Sequence, residues 1–115
     1  VLFSSLNIEE FRSFYYRIVH LYYFNPNSLQ RVLENEGFKV DISTFQQASI
    51  TNHFHWMHKK YKQKNANQLT SITLPEHTNT ANEYINLLND IDDLYRKKLN
   101  DNKMGDLLFA KCELN

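Results

Sequence analysis

The side chains of this chain best suited to moving a proton near neutrality are His20 and the cluster His53, His55 and His58, because an unperturbed imidazole titrates near pH 6.5. His20 has two readings: a base that deprotonates or orients an acceptor hydroxyl or amine, and a ring that hydrogen-bonds a backbone carbonyl to hold a loop. The other three invite a metal. On a helix, however, residues two apart face opposite sides, so only His55 and His58 share a ligand face. Neither a carboxylate nor a cysteine nearby completes a set, and no metal is expected. Asn52 and Trp56 stand one helical turn apart, so an amide and an apolar plate either line one cavity or anchor a core. Tyr15, Tyr16, Tyr22, Tyr23 and Phe24 offer rings that stack on an aromatic acceptor or an adenine, or that fill a core. The carboxylates Glu9, Glu10, Glu34, Glu36, Asp90, Asp92 and Asp93 fall on predicted polar helix faces, where solvation accounts for them.

These residues need elements to hold them, and the segment from His20 to Phe38 is the most explicit. Asn25 is a good N-cap, Pro26 takes the first helical position, and Gly37 suits the left-handed residue past the last turn. Leu29, Val32 and Leu33 make the apolar stripe, and the chain leaves as a strand over residues 39–45. An earlier strand is predicted at Val1 to Leu6, then a helix from Phe11 to His20 with Asn7 as cap and Glu9-Glu10 in its first turn. The last strand, Asp106 to Leu114, opens Leu-Leu-Phe-Ala without polar alternation, as a strand covered on both faces does. Cys112, the only cysteine, reads as a small buried residue there and excludes an internal disulfide.

Before that strand, Thr80 and Glu83 have the spacing of a capping box. Ala81, Tyr84, Ile85, Leu88, Ile91, Leu94, Tyr95 and Leu99 then mark one long helix with a core stripe, ending near Asn102. Asp92 and Asp93 with Arg96, Lys97 and Lys98 read as its solvated face, and residues 65–79, with Pro75, as a loop or cover. Composition supplies a core, with 42% hydrophobic and 14% aromatic residues. The 13 basic and 13 acidic residues cancel, which argues against a duplex- or membrane-surface partner; the run from His58 to Lys64 is local. With no long apolar run, signal peptide or Asn-x-Ser/Thr site, a cytoplasmic location is expected.

Three blocks of residues resemble class I S-adenosylmethionine-dependent methyltransferases. His20, the aromatics after it, Pro26, Leu29, Leu33 and Gly37-Phe38 are similar to the segment after that family's fifth strand. Phe45 to Trp56 resembles a subgroup's stretch reading Gln-Arg-Tyr, an apolar residue, Asn-His and Trp, with Gln47 and Ala48 in place of Arg and Tyr. Gly105 to Ala110 resembles the last strand of that subgroup. The resemblance implies an α/β fold: the C-terminal part of a Rossmann-like sheet of three strands, the last central and antiparallel, with about four helices. Residues 1–115 would be the C-terminal half of the methyltransferase domain, with an insert or cover at 46–104.

By that resemblance the chain is the acceptor-side half of a methyltransferase acting on a small or sugar-like molecule. His20 would be catalytic, and Tyr22, Asn52, His53 and Trp56 would bind the acceptor. S-adenosylmethionine would be held mostly outside this chain, which has only Gly37 and Gly105 and so no glycine-rich loop to approach the donor. The partners implied are an N-terminal half, on the same or a separate chain, and a small-molecule acceptor. Neither nucleic acid nor membrane is expected, and a homo-oligomer is compatible. Two other readings stand beside it: a non-catalytic assembly module pairing through the edge of Val1 to Leu6, and a metal-dependent hydrolase built on the histidine cluster.

Overall fold

The computed structural model describes residues 6–16, 22–69 and 79–115. In chain order these form helix α1 (Glu9–Tyr15), helix α2 (Pro26–Asn35), strand β1 (Phe38–Phe45), helix α3 (Ile50–Lys59), helix α4 (Asn79–Asp101) and strand β2 (Leu107–Leu114). His20, most of the strand expected at Val1 to Leu6 and most of the loop around Pro75 lie outside the described residues.

α2 forms where its caps stand. The Asn25 side chain accepts from the Ser28 backbone N–H at 2.8 Å, and Ser28 Oγ accepts from the Asn25 N–H at 2.9 Å, so each backbone donor is satisfied by the other residue's side-chain oxygen. Pro26 opens the helix, and Gly37 closes the turn at φ +88°, where a side chain is strained, with its N–H on the Glu34 carbonyl. β1 then starts at Phe38. The expected stripe is shallower than its spacing implied: Leu29 and Leu33 are half-buried, whereas Val32 is exposed, because α2 packs one-sidedly along the sheet.

β1 and β2 pair antiparallel along their full length, from Phe38 opposite Leu114 to Phe45 opposite Leu107. The expectation of a three-stranded Rossmann-like sheet with the last strand at its centre is overturned, since among the described residues the sheet has two strands and β2 is hydrogen-bonded to β1 alone. The inference from Leu-Leu-Phe-Ala failed because an unbroken apolar run reports strand character without reporting how many neighbours cover it. Phe109 and Leu114 stand exposed, and Cys112, expected to be buried, is exposed too. β1 does alternate, with Ile42 and Thr44 buried between the exposed Asp41, Ser43 and Phe45.

Gly105 brings β2 back to β1. A Cβ there would sit 2.8 Å from the Phe45 carbonyl carbon and 2.9 Å from the Gln46 nitrogen, so only glycine fits this close backbone approach. Around it the Gly105 N–H donates to Thr44 Oγ1 at 3.1 Å, and Asn100 Oδ1 accepts from the Gln46 N–H at 2.6 Å. The end of α4, the end of β1 and the start of β2 thus meet at one knot.

Two helices depart from expectation. α1 begins after Ile8, which has no side-chain cap in place of the expected Asn7, and ends at Tyr15. α4 already contains Thr80, so Thr80 is not its cap. Only Leu99 of its apolar stripe is buried, and Tyr84, Ile85, Ile91 and Leu94 are exposed. The residue α4 buries instead is Asp92, read from sequence as solvated. The small core forms between α1 and α3, where Ile8, Phe11 and Trp56 pack with Phe14 and Tyr15.

Candidate functional site

Between α1, the segment before α2, α3 and the start of β2 opens a cavity of about 720 Å³. α1 contributes Phe11, Phe14 and Tyr15, the segment leading to α2 contributes Tyr22, Tyr23 and Phe24, and α3 contributes Asn52, His53 and Trp56. Asp106, Leu107, Gln47 and Lys62 complete the wall. The four residues assigned to an acceptor by resemblance, Tyr22, Asn52, His53 and Trp56, therefore line one space, while His20 lies outside the described residues.

The aromatic part is a continuous cluster. Trp56 meets Phe11 edge-on at 5.2 Å between centroids and Phe14 at 5.1 Å; Tyr15 stacks on Phe11 at 5.6 Å and touches Tyr23 at 5.5 Å. The Tyr23 hydroxyl donates to the Tyr15 carbonyl at 2.8 Å, which ties the segment before α2 to the end of α1. Burial, with the neighbouring Tyr16 and Tyr23 hydroxyls and Asp106 behind it, raises the Tyr15 phenol above its ordinary pKa.

The polar part is built on Asp106. Its carboxylate accepts from the backbone N–H groups of Gln47 at 2.8 Å and Ala48 at 3.1 Å, and at 3.4 Å from the Gln46 side-chain amide. That amide also donates to the Ala48 carbonyl at 2.8 Å, so its nitrogen end is the one turned toward His53 Nε2, 3.5 Å away. On its other side, His53 Nδ1 pairs with the Tyr95 hydroxyl. Burial depresses His53 to a pKa of about 4, against the opposing pull of Asp106 and Asp92. It also raises Tyr95 to about 12, helped by the same two carboxylates. His53 is accordingly a neutral, fixed hydrogen-bonding group at pH 7 rather than a proton store.

α3 is held in place for this purpose. Ser49 caps it, the Asn52 amide oxygen accepts from the Gln63 N–H at 3.1 Å, and Asp92 Oδ1 accepts from the Ile50 N–H at 2.7 Å. Arg96 donates to Asp92 through Nε at 2.9 Å and Nη2 at 2.7 Å, then reaches the carbonyls of Gln47 and Asn67. His55 turns its Nδ1 to the Tyr61 carbonyl at 3.0 Å, and among the described residues no three His, Cys, Asp or Glu side chains gather as a metal ion requires. No described helix is long and apolar enough to cross a membrane.

Sequence reasoning missed Gln46, Tyr95, Asp106 and the Asp92–Arg96 pair. Gln46 and Asp106 did carry a signal, since they stand inside the second and third blocks of the resemblance, and the two blocks turn out to be hydrogen-bonded to each other. Comparison of the chain with family models, curated proteins and solved structures finds no match.

Proposed function

We propose that this chain forms the acceptor-binding side of an S-adenosylmethionine-dependent methyltransferase, with the aromatic cavity as the seat of a small-molecule acceptor. The observation that supports the reading is the convergence of Tyr22, Asn52, His53 and Trp56, drawn from two separate sequence blocks, on one cavity. Methyl transfer from a sulfonium is an in-line displacement, so an enzyme's main contribution is to align nucleophile and methyl. The site has the parts for alignment: flat apolar walls that fix a small molecule's orientation, a buried amide at Asn52, and His53 locked between Gln46 and Tyr95. At a pKa of about 4 His53 is a poor base, so its role is to position the acceptor. The donor falls to residues outside these 115, on the same or a separate polypeptide, because neither glycine here belongs to a glycine-rich loop.

The test is release of S-adenosylhomocysteine by the intact protein, given S-adenosylmethionine and a panel of small amines, alcohols and sugars. Release should depend on the acceptor, and kcat/KM should fall about tenfold in Tyr22→Leu, at a residue 78% exposed and outside the core. Absence of acceptor-dependent release across the panel, with no binding of the donor to the intact protein, would remove the enzyme reading.

A further inference from the structure

We infer that the cavity selects an amine, which reacts as the free base after losing its proton to water and is held as an ammonium once methylated, a choice that rests on the cavity being the acceptor site. Three observations point to a cation. The first is the wall itself, where α1, the segment before α2 and α3 turn seven aromatic side chains toward one space. Aromatic faces are electron-rich and attract a cation within about 6 Å of the centroid, most strongly where water is displaced. They repel an anion for the same reason.

The second observation is that the cluster already holds an ammonium. Lys62 Nζ lies 5.7 Å from the centre of the Phe14 ring, on a long stem that reaches the cavity from the turn after α3. Lys62 is exposed, so its head group is free to swing into water and leave the ring to a ligand. The third is charge. The two formally charged side chains among the lining residues are Lys62 and Asp106, and when Lys62 is displaced the remaining charge is the Asp106 carboxylate. His53, neutral between Gln46 and Tyr95, adds no positive charge against a bound cation.

An aromatic wall also suits the chemistry of nitrogen methylation. When a neutral amine attacks the sulfonium methyl, the new N–C bond forms as the C–S bond breaks. The electron pair of the broken bond stays on sulfur, and the positive charge arrives on nitrogen. Rings around that nitrogen stabilise the charge as it develops, which an alcohol acceptor, losing a proton to finish neutral, would not exploit.

The experiment is a titration of the protein, without donor, by three molecules of one shape: choline, its neutral carbon analogue 3,3-dimethylbutan-1-ol, and the anion 3,3-dimethylbutanoate. Calorimetry reads binding, with the emission of Trp56, the single tryptophan, as a second signal. Choline should bind at least about tenfold more tightly than the alcohol, and the anion most weakly. Lys62→Met, which removes the resident competitor, should tighten choline binding severalfold. Phe24→Leu, at a residue 40% exposed, should weaken it about threefold with an unchanged circular dichroism spectrum. Equal affinity for alcohol and choline, preference for the anion, or weaker choline binding in Lys62→Met would each overturn the inference. Because the donor is absent from these titrations, their failure removes the amine and leaves methyl transfer to be judged by its own assay.

Discussion

His53 shows how burial decides what a residue is able to do. The sequence offers it as one of three clustered histidines, and the spacing argument sets it on a different face from His55 and His58. What spacing does not carry is depth: His53 is buried, and withdrawal from water holds it neutral down to a pKa of about 4. The sign of the consequence is definite. The unfolded chain binds a proton at this histidine near pH 6.5 and the folded chain does not, so the contribution is fully present above 6.5 and is lost as pH falls through 4. The stability difference between the wild type and His53→Gln should therefore shrink by about 3 kcal/mol between pH 7.5 and pH 4, measured by urea denaturation. A difference that stays constant over that range would show that His53 is not held neutral by the fold.

Among the elements, those with local punctuation were readable and those whose meaning depends on neighbours were not. Asn25, Pro26 and Gly37 specify α2 and the entry to β1 through short-range hydrogen bonds and one positive φ, and these appear where the residues stand. β2 was recognised as a strand from its apolar run, but its place in the sheet depends on what lies beside it, which no run of residues encodes. α4 makes the same point in reverse. Asp92 sits among charges that look solvated, yet it is the residue the helix buries, because its carboxylate caps the backbone of α3 and anchors Arg96. Asp92→Ala should then cost about 3 kcal/mol, since it leaves a guanidinium with 23% of its side chain exposed without its partner and the Ile50 N–H without its acceptor. Thermal denaturation would check this. A loss near the few tenths of a kcal/mol typical of an exposed i,i+4 pair would return Asp92 to the solvated face.

Across the molecule, the cavity is where local and distant features meet. Its aromatic residues come from α1, the segment before α2 and α3, and its polar floor joins the end of β1 to the start of β2 through Asp106. Tyr22, Asn52, His53 and Trp56, named from two sequence blocks, line this one space. Their supports Gln46, Tyr95 and Asp106 were not legible in the sequence, because each acts through a hydrogen bond to a residue distant in sequence or to backbone. The most direct test is a crystal structure of the protein with S-adenosylhomocysteine and an amine acceptor bound. The amine is expected in the cavity against Tyr22, Phe24 and Trp56, with its nitrogen turned toward the donor's sulfur. An acceptor bound elsewhere, with the aromatic cavity empty, would contradict it.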